Sequence, residues 1–111
     1  MKKSWELYAH HILDCVTKIR LIQARGDLTQ DDILYDAALR NLQTLSEATQ
    51  NLPDDKKAMY PNIPWRAISG FRNILVHNYL GKIDPITVSS VIDNDLPALE
   101  SCMKQLLENS E

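Results

Sequence analysis

Pro64-Trp65-Arg66-Ala67-Ile68-Ser69-Gly70-Phe71-Arg72-Asn73-Ile74-Leu75-Val76-His77-Asn78-Tyr79 reads as one helix that is apolar almost all the way round. At about 100° per residue, Trp65, Ile68, Phe71, Ile74, Leu75, Val76 and the following Leu80 spread over most of the circumference. Such a helix belongs in the middle of a bundle. Pro64 suits its first turn, where the missing N–H is not needed, and Gly81 is a natural stop, so a helix is expected from Pro64 to about Tyr79. The exception to the apolar surface is a narrow strip of Arg66, Asn73 and His77, with Gly70 lying in it and leaving room for another group to approach. Burying that strip unpaired would cost several kcal/mol, so it requires a partner, a water-filled cleft or a second subunit.

Outward from this segment the chain carries the other helices of a bundle. Trp5, Tyr8, Ile12, Cys15 or Val16, Ile19 and Ile22 keep the three-and-four spacing of an amphipathic helix, with Ser4 as N-cap and Gly26-Asp27 as its end. Thr29 followed by Asp32 forms an acidic variant of a capping box. The helix it opens is expected to reach about Gln50, with Leu34, Ala38, Leu42, Leu45 and Ala48 or Thr49 inward and Asp31, Asp32, Asp36 and Gln43 outward. After Leu52-Pro53, residues Asp54 to Met59 have room for one or two turns before the elbow Tyr60-Pro61-Asn62-Ile63-Pro64. Asp84-Pro85 launches the last helix through Val88, Val91 and Ile92 to Leu107, and Pro97 predicts a kink or break near Asn94 to Leu96. Nothing reads as a strand or a repeat. The expected fold is all-α: an antiparallel bundle of four main helices plus a short one, with residues 1–111 forming a single domain.

Composition bounds the function. The 111 residues are 44% hydrophobic and 24% charged, ordinary values for a globular chain, and no apolar run approaches the roughly 18 residues of a membrane span. Lys2 and Lys3 imitate the start of a signal peptide, but His10, His11 and Asp14 interrupt any apolar core for one, which points to the cytoplasm. Cys15 and Cys102 each fall on an apolar helix face and are expected to pack as small hydrophobes. Adjacent His10 and His11 diverge by about 100°, a poor chelating geometry, and no metal or other cofactor is expected. A net charge of −3 runs against a general nucleic-acid binder, so any site for RNA must be local.

The chemistry-bearing residues are Arg72 and His77. Histidine takes and gives protons near neutral pH, and arginine is a permanently charged fork matched to phosphate oxygens. Together they suffice for RNA cleavage without a metal: His77 removes the proton of a ribose 2′-hydroxyl while Arg72 stabilises charge developing on the phosphate. The helical wheel resists this, since the two residues stand about 140° apart and about 7.5 Å along the axis, whereas Arg72 lines up with Tyr79. Their convergence needs the reach of the arginine side chain, distortion near the helix end, or a cleft completed by another chain.

Arg72, Asn73, His77 and Tyr79 together match Arg-polar-x-x-x-His-x-Tyr, and in this the chain resembles the HepT-like HEPN ribonucleases. Arg40-Asn41-Leu42, Ser46-Glu47-Ala48, Asn51-Leu52-Pro53, Ile63-Pro64-Trp65, Gly70 and Ile83-Asp84 extend the resemblance over most of the sequence, with Ser46 standing where the family pattern has glycine. The resemblance implies a homodimer whose facing motif helices form an RNA-cleaving cleft. It also implies an MntA-like nucleotidyltransferase antitoxin as partner, which transfers AMP onto the motif tyrosine, here Tyr79, and supporting roles for Asn73, Arg40 and Glu47. Arg40 and Glu47, seven residues apart on one helix stripe, read equally well as an ion pair at the surface or at a dimer interface. Trp65 reads as a core anchor rather than a platform for a base. The competing reading of the whole chain is a non-catalytic dimerisation module that binds the nucleotidyltransferase, supported by the acidic balance and by the angle between Arg72 and His77.

Overall fold

Three stretches of this chain that place apolar side chains three and four residues apart, Ser4–Arg25, Asp32–Thr49 and Pro85–Glu108, become helices that bury those stripes. The computed structural model describes residues 4–70 and 85–109. Its helices are α1 (Ser4–Arg25), α2 (Asp32–Thr49), α3 (Asp54–Ala58), α4, described over residues 65–70, and α5 (Pro85–Glu108). The fold is all-α as expected, with no strand among the described residues. Helix α1 packs against both α2 and α5.

The core line of α1 is Trp5, Ala9, Ile12, Cys15, Val16 and Ile19. Tyr8, expected within that line, is exposed instead: fully buried Ala9 occupies the inward position, which turns residue 8 to the edge. Ser4 is the first residue of the helix, not the cap before it. In α2 the buried residues are Tyr35, Ala38, Leu42, Leu45, Ser46, Ala48 and Thr49, and in α5 they are Val88, Ile92, Leu96, Leu99, Cys102, Met103 and Leu106. Both cysteines are free and buried, and burial raises both thiols, Cys102 to about 11.

Two further expectations are corrected. Helix α2 is not opened by Thr29: the Thr29 hydroxyl and N–H both go to Asp27 Oδ1, at 2.8 and 2.9 Å, in a tight turn. Asp31 is the cap, its Oδ1 accepting from the Ile33 and Leu34 N–H groups at 2.9 and 3.2 Å. Of the kink or break expected near Asn94 to Leu96, the break is absent: α5 runs from Pro85 to Glu108 with Pro97 inside it. Pro97 and Asp93, whose carbonyl loses its helical donor, both lie on the exposed side, where water can serve that carbonyl. The opposite stripe from Val88 to Leu106 is buried throughout, and that burial outweighs the roughly 3 kcal/mol cost of an interior proline.

Among the described residues, no helix is long and apolar enough to cross a membrane, and no three His, Cys, Asp or Glu side chains group as metal ligands would.

Candidate active site

Arg72, Asn73, His77 and Tyr79 all fall within residues 71–84, outside the described residues. What is visible is the frame from which their segment starts. Pro64 precedes α4, and its carbonyl accepts the Ile68 N–H at 3.0 Å, so Pro64 sits at the helix entrance one residue earlier than the first helical position expected for it. Trp65 follows, half-buried against the core. Its packing role is the expected one, but its position is fixed by its polar edge: Nε1 donates to the carbonyls of Lys57 and Tyr60, at 3.0 and 3.1 Å.

The far end of the described turn is held by α2. Gln50, the residue that closes α2, donates from Nε2 to the Ser69 carbonyl at 3.2 Å, and Thr49 Oγ1 lies 3.4 Å from Ser69 Oγ. Lys57 Nζ returns to the Thr49 carbonyl at 3.4 Å. A circuit of hydrogen bonds therefore runs from the end of α2 through α3 to Trp65, along α4 to Ser69, and back to α2. Sequence reading missed the contacts among Thr49, Gln50, Lys57 and Ser69, because nothing in their spacing marks residues eight to twenty positions apart as partners.

The visible part of the polar strip is open. Arg66 is exposed, and a Cβ added at Gly70 would meet no atom within 4 Å, which agrees with the room expected there. Arg40 and Glu47 are both exposed on α2, where seven residues separate them by about 10 Å along the helix. Ser46 is 1% exposed, and its hydroxyl donates back to the Leu42 carbonyl at 2.9 Å, so the hydroxyl that replaces the family's glycine is accommodated without an unpaired donor. His10 and His11 are exposed on α1.

A cavity of about 240 Å³ lies between α2, α4 and α5, walled mainly by Leu42, Leu45, Ala67, Ile68, Val91 and Leu96. Ser46, Thr87 and Asp95 complete its lining, and a mostly apolar wall with a carboxylate in it suits a nucleic-acid backbone poorly.

A profile described as Ribonuclease HepT-like matches residues 12–106. A Thermococcus cleftensis protein named "Probable ribonuclease HepT" is 30% identical over 111 residues, covering 96% of this chain and 98% of that protein. A "Putative RNase" of Caldanaerobacter subterraneus subsp. tengcongensis is 30% identical over 107 residues, covering 94% and 95%. A Methanocaldococcus jannaschii protein named "Gamma-glutamylcyclotransferase and putative RNase" is 31% identical over 113 residues; the match covers 97% of this chain but only 50% of that protein, so the chain spans half its length. No solved structure gives a significant match.

Proposed function

The chain belongs to the Ribonuclease HepT-like family, and from that premise we propose that it is a metal-independent endoribonuclease, the toxin of a toxin–antitoxin pair. The observation that carries the reading is the complete Arg72-Asn73-Ile74-Leu75-Val76-His77-Asn78-Tyr79 motif inside the matched residues 12–106. His77 takes the proton of a ribose 2′-hydroxyl, and the freed oxygen attacks the adjacent phosphorus. Arg72 stabilises the added negative charge, and the bond to the 5′-oxygen breaks, leaving a 2′,3′-cyclic phosphate and a 5′-hydroxyl. Asn73 supports the seam that holds His77, and Arg40 and Glu47 act from the exposed face of α2. Exposed Arg66 and the open side of Gly70 leave a route for RNA to approach, in keeping with a local site on a chain of net charge −3.

Two chains form the working unit. On an ideal helix Arg72 and His77 do not share a face, and a homodimer with facing motif segments lets the arginine of one serve the histidine of the other. The partner is an MntA-like nucleotidyltransferase antitoxin that transfers AMP from ATP to the Tyr79 hydroxyl with release of pyrophosphate. Tyr79 is two residues past His77, so the added anionic phosphate would stand where the RNA phosphate must bind and would both block and repel it.

The test is direct. The chain expressed alone is expected to arrest growth and cleave RNA, and His77→Ala and Arg72→Ala are each expected to lower cleavage by about 10²–10⁴-fold. Undiminished cleavage in both variants would sink the assignment and favour the second reading, a non-catalytic dimer that binds the nucleotidyltransferase, for which the acidic balance speaks. Co-expression with an active nucleotidyltransferase is expected to add AMP units to the intact mass, and Tyr79→Phe to abolish them; an unshifted mass counts against modification.

A further inference from the structure

Ser69 stands three residues before Arg72 and four before Asn73 in the chain, and it is the last point at which α2 grips the described part of α4. Two side chains make that grip. Thr49 is fully buried, and its hydroxyl proton is committed to the Ser46 carbonyl at 2.7 Å. In the 3.4 Å contact between Thr49 Oγ1 and Ser69 Oγ, Ser69 must therefore donate and Thr49 accept. Gln50 acts from the surface side, its Nε2 donating to the Ser69 carbonyl at 3.2 Å. On an uninterrupted helix, which the spacing predicts, that carbonyl would also accept the Asn73 N–H; with two lone pairs it can accept from both donors.

We propose that Thr49 and Gln50 are positioning residues for RNA cleavage: they fix Ser69, and with it the rotation and height of α4 at the point from which the chain runs on to Arg72 and His77. The inference rests on the ribonuclease reading above. Its physical basis is directional. Apolar contacts on α4, such as buried Ile68, resist separation of the helices but hold rotation about the helix axis weakly. A carbonyl and a hydroxyl of the same residue, held from two sides, fix that rotation. Trp65 secures the first residue of the same stretch through two more hydrogen bonds, so the described part of α4 is held near both of its ends. A general base and a phosphate-binding arginine need placement to a fraction of an ångström, and a displacement of about 1 Å can cost 10²-fold in rate.

The test compares the full-length wild-type chain with Gln50→Ala, Thr49→Val and Thr49→Ser, by steady-state cleavage of a single-stranded RNA and by amide hydrogen exchange of residues 66–70. Gln50 is exposed, so its truncation leaves the core untouched. Gln50→Ala is expected to lower kcat about tenfold with KM changed less than about twofold, after correction for the folded fraction. Exchange at 66–70 should accelerate by about tenfold in the same variant. Thr49→Val should follow Gln50→Ala, and Thr49→Ser, which keeps the hydroxyl, should restore kcat. A folded Gln50→Ala chain with wild-type kcat, or with wild-type exchange at 66–70, overturns the proposal. Absence of cleavage by the wild type overturns the ribonuclease reading itself, and the exchange measurement then decides separately whether the grip exists.

Discussion

The contact of α1 with α5 and the contact of α4 with α2 and α3 are built from different materials. Along α1 and α5 the buried line is Ile12, Val16 and Ile19 on one side and Val88, Ile92, Leu99 and Met103 on the other, and Cys15 and Cys102 sit among these as protonated thiols. Along α4 the fixed points are hydrogen bonds: Trp65 to Lys57 and Tyr60, Ser69 to Thr49 and Gln50. An apolar contact is strong per residue and tolerant of orientation, whereas a hydrogen bond is weaker in net terms and strict in direction. The first kind serves a scaffold that has only to stay folded. On the ribonuclease reading proposed above, the second serves a segment that has to deliver Arg72 and His77 in one orientation, and the two regions should fail in different ways.

The largest stability effect belongs to the scaffold. Leu99 has no exposed surface, and Leu99→Ala is expected to cost about 2–5 kcal/mol in chemical denaturation while the kcat of the molecules that remain folded stays near wild type. A fall in kcat per folded molecule as deep as that of Gln50→Ala would erase the distinction between the regions. The scaffold can also be weakened by pH. Burial pushes the Cys102 thiol up to about 11, against 9.0 for an unperturbed thiol. The unfolded chain therefore loses that proton first, and the thiol's contribution is intact below about pH 9 and lost as pH rises toward 11, bounded at about 2–3 kcal/mol. Denaturation from pH 8 to 11 should fall more steeply for the wild type than for Cys102→Ala; equal slopes would refute the linkage.

Next in size comes the corner. Trp65→Phe keeps an aromatic body against the core and deletes the N–H that serves two carbonyls, and a loss of about 1–2 kcal/mol is expected. The informative reading is the ratio: cleavage should drop further than the stability loss explains, the reverse of Leu99→Ala. A Trp65→Phe chain that melts earlier but cleaves normally would place the orienting contact at Ser69 alone.

These differences also explain how much could be read from the sequence. The helices were legible because apolar periodicity is a local signal, and the stripes of α1, α2 and α5 were found on it with few changes. What was missed depends on competition or on distance. Thr29 and Asp31 are both acceptable caps, and only the capture of the Thr29 hydroxyl by Asp27 decides between them. Pro97 reads as a break from local rules, and the buried stripe on both sides of it overrides them. The motif from Arg72 to Tyr79 stands out in the sequence by residue type and spacing, but it lies outside the described residues, and its chemistry belongs to the proposal above. The hydrogen-bond circuit that ends at Ser69 is not legible there, because Gln50 and Ser69 are nineteen residues apart and neither is unusual where it stands.

The smallest expected effect sharpens the contrast from the opposite side. Helices α1 and α5 are also joined at the surface by Arg20 and Glu100, at 2.8 Å, with Lys104 at 3.5 Å from the same carboxylate. By charge and distance this is the strongest polar contact between two helices on the scaffold side, stronger on paper than the 3.2 Å amide contact of Gln50. Yet the Arg20 side chain is 50% exposed, so water and salt screen the pair and the side chains lose rotamer freedom to form it. Glu100→Gln is therefore expected to change stability by less than about 1 kcal/mol, with a difference that shrinks further in high salt, and to leave kcat unchanged. Gln50→Ala, which removes a longer and uncharged contact, should alter kcat and not salt dependence. If the two substitutions exchanged these signatures, polar contacts would be setting the scaffold, and the separation between an apolar frame and a hydrogen-bonded site support would not hold.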